Sequence, residues 1–353
     1  MKYILSAAAI CAAAIILTEP STVADAVGSA VYSCLDIIIP SLFAFTVLCV
    51  YLQSSGLYVT VLRPVTIPLS HLLKIDEELC AIIILSNIGG YPVGAKLLTS
   101  LVQEKRLSKD DAGRLLCCCY GSGPSFIICI VGARVFSSTA IGAVIFGACF
   151  ISSMLIAVFI CRRSKISLLR SDNSFDLSAD VFIGSVTACA KVMFTVCAMI
   201  TGFSVITAML DISGVSQLIS SLSGIVLMDK NSDVIFPALL EISRIKELLP
   251  LGVYTLPLSS ALLSFGGVCV IMQISAITSG LIPMKHFLLS RIPAAALSAL
   301  ISFTGIFIPF GAVSASAAPA VQMQTFSVNA GMSLCVLIMC GMLLYTSRGR
   351  RCS

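Results

Sequence analysis

The chain is a succession of apolar runs, each near the length of a membrane crossing, separated by short loops that hold most of its charge. About 20 apolar residues in helical form span the hydrocarbon of a bilayer. In that solvent each backbone group must bond within its own segment or within a closed barrel. The runs are continuous rather than alternating, which argues against a barrel. The fold class is therefore all-α and polytopic, with about 8 to 12 membrane segments, the count depending on whether the weak segments cross or re-enter. The segments are 3–17, 37–53, 57–73, 79–101, 115–132 and 139–161, then 186–209, 212–228, 233–242, 256–276, 287–309 and 325–346. Those at 57–73, 212–228 and 233–242 are open to either reading.

Composition narrows the function. Charged residues make up 11% of the chain and hydrophobic residues 58%, where a soluble protein carries about 25% charge. A disordered chain, a basic-patch nucleic-acid binder and an ordinary soluble enzyme are excluded. The 16 Cys lie mostly inside apolar runs and none is spaced C-x-x-C. Cys117, Cys118 and Cys119 cannot converge on one metal from a helix, since neighbours point about 100° apart. With only His71 and His286 present, no metal site, cofactor or histidine dyad is expected. Ser125, in Gly123-Pro124-Ser125-Phe126, is not in a nucleophile elbow, so no enzymatic activity is expected either.

Loop charge sets the expected orientation. Arg162, Arg163, Lys165 and Arg170 make the polar stretch at 162–185 a cytoplasmic linker, and Lys105, Arg106, Lys109 and Arg114 do the same at 102–114. Arg348, Arg350 and Arg351 place the tail inside, and Lys2 places the N-terminus inside. Residues 1–27 read as a retained signal-anchor, in preference to a signal peptide cleaved near Ala24. The organisation follows: anchor 1–27, first half 28–161, linker 162–185, second half 186–309, and a helix with a basic tail at 310–353.

The halves look related. The segment at 35–52 leads to a break at Asn87-Ile88-Gly89-Gly90-Tyr91-Pro92-Val93-Gly94-Ala95-Lys96 and then to Gly121-Ser122-Gly123-Pro124-Ser125-Phe126. In the second half, 190–207 leads to Leu239-Leu240-Glu241-Ile242-Ser243 and then to Ser264-Phe265-Gly266-Gly267-Val268. An odd number of segments separates the two starts, so the second repeat is inverted. Inverted repeats with matched broken helices are a transporter signature, because unbonded backbone groups at mid-membrane must face protein, water or ligand. Tight helix packing is the alternative use of such glycines.

Polar residues inside the spans are the candidate site. They are Asn87, Lys96, Ser122, Ser125, Glu241, Ser264 and Gln273, with Gly89, Gly90, Gly94, Gly123, Gly266 and Gly267 at the breaks. Asn87 offers both donor and acceptor. Lys96 either meets an anion or reaches the cytoplasmic interface. Glu241 either pairs with Arg244 one turn on or serves as a proton or cation coupling site facing Lys96 or Asn87. Gln273 completes the second break. The serine hydroxyls either face a ligand or bond back to helix carbonyls. Asp36 and Lys191, at equivalent repeat positions, read as interfacial or lateral helix contacts.

Those motifs carry a resemblance. GGYPVGAKL at 89–97, GSGPSF at 121–126, LLEIS at 239–243 and LSFGGVCVIMQI at 263–274 resemble the sporulation integral membrane protein family of endospore-forming bacteria (the YlbJ type) over about residues 28–309. That family carries nucleoside-recognition, or Gate, domains. The resemblance implies two inverted Gate-like repeats and a role in spore formation, particularly cortex assembly. It implies the bacterial cell membrane, and relatives of the domain often assemble as homo-oligomers. It names no substrate. Arg244 departs from the family, where a glycine follows the LEIS-type segment. The expected partners are the lipid bilayer and a small polar solute, with no nucleic acid. The expected function is a transporter or permease, and the alternative is a non-transporting scaffold that recruits partners to the spore envelope.

Overall fold

Backbone groups that cannot bond to lipid force these apolar runs into helices, and helix is the regular structure throughout the described residues. The computed structural model describes residues 2–169, 175–218, 235–242, 245, 248 and 254–305. Helix α1 (Lys2–Thr18) is followed by α2 (Pro20–Ser33), which continues through a π-helical turn (Cys34–Ile38) into α3 (Ile39–Ser54). Then come α4 (Leu57–Leu73), α5 (Glu77–Gly89), α6 (Tyr91–Gln103), α7 (Lys109–Leu115), a π-helical segment (Ser125–Val135) and α8 (Thr139–Arg163). After the linker come α9 (Ala179–Ile212), α10 (Ile235–Leu240), α11 (Thr255–Phe265), α12 (Gly267–Thr278) and α13 (Lys285–Gly305). Ser108, Ser138 and Ser178 cap α7, α8 and α9, each accepting a backbone N–H from three residues on.

Five helices among the described residues are long and apolar enough to cross a membrane: Pro20–Ser54, Thr139–Arg163, Ala179–Ile212, Thr255–Thr278 and Lys285–Thr304. They fit a multi-pass membrane protein. Their outer faces expose Leu35, Ile151, Phe159 and Phe194, while α5 and α6 are buried almost throughout. The short helices α5 and α6 thus sit at the centre, and the longest surround them.

The linker gathers one side of the molecule. Asp176 N–H donates to Ser55 O (3.3 Å) and Leu169 N–H to Arg106 O (2.9 Å). Leu168 N–H donates to Asp76 Oδ2 (3.3 Å), and Arg162 Nε to Leu72 O (2.9 Å). The ends of α3, α4, α6 and α8 and the start of α5 therefore share this linker face. Arg106 grips Glu78 at both oxygens (2.7 and 2.8 Å), tying the start of α5 to the chain just after α6. Residues 79–101 accordingly form a helical hairpin that turns at Gly90, with its two ends tied together. Helix α4 has both ends on the linker face too, since Tyr58 donates to Glu78 while Leu72 meets Arg162.

Several boundaries move. The first domain boundary, at 27/28, falls inside α2, because the only interruption there is at Glu19, ahead of Pro20. The linker shortens to the stretch between Arg163 and Ala179 as α8 and α9 extend into it. The expected segment at 115–132 is interrupted, with an irregular stretch before Ser125. Residues 310–353, most of the segment at 212–228 and the side chain of Arg244 lie outside the described residues.

Candidate functional site

Each half contains two interrupted segments, and in each half they touch. Gly90 has φ +96° and ends α5. Gly123, at φ +73°, packs on it so closely that a Cβ there would sit 3.2 Å from Gly90 Cα and N. A Cβ on Gly94 would come within 1.8 Å of Cys119 O. In the second half, Gly266 (φ +90°) and Gly267 (φ +73°) divide α11 from α12. A Cβ on Gly267 would lie 3.0 Å from Leu239 O, at the end of α10.

The halves meet at the C-terminus of α11. The last carbonyls of a helix have no partner within it. Here Leu263 O accepts from Tyr91 Oη (2.5 Å) and Ser122 Oγ (3.2 Å). Ser264 O accepts from Arg291 Nη1 (3.4 Å), and Phe265 O from Tyr120 Oη (3.1 Å). Arg291, in α13, is only 2% exposed. Its Nη2 also donates to Cys117 O. Its guanidinium lies 4.4 Å from the Tyr120 ring centre and 4.7 Å from that of Phe287. No carboxylate pairs with it among the described residues. Its charge is instead set against carbonyl dipoles at a helix C-terminus and against two ring faces.

Beside this junction lies a cavity of about 40 Å³. Its polar lining comes from both halves: Tyr91 and Ser122 from the first, Glu241, Cys269 and Gln273 from the second. Ile38, Leu42, Phe126, Val196, Ile200 and Val270 make the rest largely apolar. Glu241 is 5% exposed and Gln273 3%. Gln273 Nε2 donates to Cys269 Sγ (3.4 Å), and its Oε1 accepts no hydrogen bond among the described residues. Glu241, Ile38 and Phe126 also line a vestibule of about 540 Å³, with Arg134, Asp211, Ser204 and Thr207 elsewhere on its wall. The vestibule lies away from the linker face, beside the contact of Arg134 with Asp36 (3.4 Å).

Of the residues expected from sequence, Ser122, Glu241 and Gln273 converge on the cavity. Gly90, Gly123, Gly266 and Gly267 shape the crossings around it. Gly89 packs on Val93 and Cys49, and Gly94 on Cys119. Asn87 lies outside the cavity lining. Its Nδ2 donates to Ile83 O (2.8 Å) and Cys118 O (3.0 Å), and its Oδ1 abuts Gly121, so its amide ties one broken segment to the other. Ser264 contributes its carbonyl rather than its hydroxyl to the junction. Ser125, half-buried, starts the π-helical segment and is not part of the lining. Lys96 is half-buried on α6 beside Cys189 of α9, away from the cavity and from Glu241. Asp36 lies 3.4 Å from Arg134, both about half exposed, and Lys191 is exposed.

Sequence reasoning passed over Tyr91, Tyr120, Arg291, Arg134 and Asp211. Arg291 had a legible signal, a guanidinium within the apolar run at 287–309. Tyr91 stands inside the glycine motif, and nothing local marks its hydroxyl for the distant Leu263 carbonyl.

No protein-family model, curated protein or solved structure matches the chain.

Proposed function

We propose that the protein is a transporter or permease for a small polar solute, in a bacterial cell membrane, belonging with the sporulation integral membrane proteins that its motifs resemble. In this reading the two halves are inverted Gate-like repeats and the linker face is cytoplasmic, as its arginines and lysines require. The vestibule is then the entrance from outside. One observation carries the reading: a buried carboxylate, Glu241, lines both a vestibule and a small cavity at the crossing of broken helices. Intramembrane carboxylates in such places mark solute or ion paths. Glu241 and the Oε1 of Gln273 are both acceptors, so the site suits a solute that carries positive charge or hydrogen-bond donors.

The test is a thermal-shift screen of the purified protein against nucleosides, nucleobases, amino acids, peptidoglycan precursors and monovalent and divalent cations. It is run in parallel on Glu241→Gln. A ligand that binds the native state alone raises the melting temperature by mass action. A rise of a few degrees with one class, lost in Glu241→Gln, supports the reading. A rise that survives the substitution moves the site elsewhere. No rise with any class favours the scaffold alternative.

A further inference from the structure

Helix α4 ends on the linker face at both termini, although it is a largely apolar helix of 17 residues. Its level is that of Arg162, in the last turn of α8. At about 100° per residue its side chains fall into three sectors. Tyr58, Leu62, Thr66, Leu69 and Leu73 face the protein, and are buried or partly buried. Val61, Val65, Pro68 and Leu72 form an exposed apolar stripe, with Val61 57%, Val65 54% and Leu72 47% exposed. Arg63 and His71 fall in a third sector on either side of the exposed Ile67, with Lys74 at the C-cap, and α4 has no carboxylate. Pro64 and Pro68 lie inside the helix, where each removes a backbone donor.

We propose that α4 is an in-plane helix that binds the anionic lipid surface of the leaflet on the linker side. The apolar stripe inserts at the acyl–headgroup boundary, and Arg63 and Lys74 meet lipid phosphates. The surface is independent of the cavity and does not rest on the transport reading. It commits to lipid because the cationic sector complements phosphate, and because the stripe lies at the depth of a helix end that carries Arg162 and Arg163.

The chain has no Trp, so Val65→Trp introduces a single fluorophore at an exposed position. Ile151→Trp, exposed near the middle of α8, serves as the depth standard. Each variant is reconstituted into vesicles whose acyl chains are brominated either near the headgroup or near the chain end. The expected result is that shallow bromines quench the α4 indole of Val65→Trp more strongly, and deep bromines the α8 indole of Ile151→Trp. Deep quenching of the α4 indole would make 57–73 a span and overturn the proposal. Unquenched emission from it, red-shifted in water or blue-shifted under a protein cover, would overturn it as well.

The charge preference is read separately. At equal mole fraction, brominated phosphatidylglycerol should quench the α4 indole at least about twofold more than brominated phosphatidylcholine. When Arg63→Gln and Lys74→Gln are added to Val65→Trp, the two lipids should quench equally. Equal quenching before those substitutions would remove the anionic selectivity.

Discussion

The hairpin break at Gly90 and the crossing break at Gly266-Gly267 solve one problem in different ways. Each interrupts a helix deep in an apolar interior and so leaves backbone groups to be satisfied. At the first break, backbone lies on backbone: Gly94 on Cys119 and Gly123 on Gly90. At the second, side chains complete the helix end: Tyr91, Ser122, Tyr120 and Arg291 all bond to carbonyls of α11. A contact between backbones cannot yield without moving segments. A contact made by side chains can release as rotamers change. The second break is therefore the more adaptable of the two, and the cavity lies against it.

The contrast is sharpest at Gly94. An alanine Cβ would sit 1.8 Å from Cys119 O, so the two segments must separate. Gly94→Ala is expected to cost more than about 4 kcal/mol and to leave little folded protein in the membrane fraction, as measured by size-exclusion of the detergent extract. A wild-type profile would show that the first break is as adaptable as the second.

Arg291→Met comes next. It strips donors from Ser264 O and Cys117 O, and two buried carbonyls left unbonded cost roughly 2–5 kcal/mol. Arg291→Lys should recover only part of that, because an ammonium lacks the fork that reaches both carbonyls. The readout is the melting temperature, and full recovery by lysine would show that charge alone suffices.

Gly266→Ala should be milder than Gly94→Ala, at about 2 kcal/mol. Its Cβ would meet the Tyr120 hydroxyl, a side-chain end, rather than backbone. In a Tyr120→Phe background the cost should shrink by about 0.5–1 kcal/mol in a double-mutant cycle. Strict additivity would mean that strain at φ +90°, not the contact, sets the cost.

Ser122→Ala should have the smallest effect, about 0.5–1.5 kcal/mol, since Tyr91 still donates to Leu263 O. A loss as large as that of Arg291→Met would mean that Ser122 organises the junction.

The apolar runs, the linker and the positions of the breaks were all legible in the sequence, because segment hydropathy and glycine placement act locally. The convergence of Ser122, Glu241 and Gln273 was legible as a set of costly polar residues in apolar surroundings, though not as a geometry. That both ends of α4 lie on one face was not legible. Its composition matches a span, and only the bonds from Tyr58 to Glu78 and from Arg162 to Leu72 put its two ends on one face. Asn87 illustrates the same limit. Its amide suits a solute and a carbonyl equally well, and only the approach of Cys118 decides for the carbonyl.

By itself, then, the sequence determined that the chain is helical, that it is suited to lipid, and that its helices break where glycines cluster. These are properties of how each segment meets its solvent. The tertiary structure decided which groups satisfy the broken ends, which polar residues share a cavity, and which apolar helix has both ends on one face. Those outcomes depend on partners far apart in the chain, such as Tyr91 with Leu263 and Cys117 with Arg291. A buried donor or acceptor must take whatever partner packing brings within reach, and no local pattern specifies that partner.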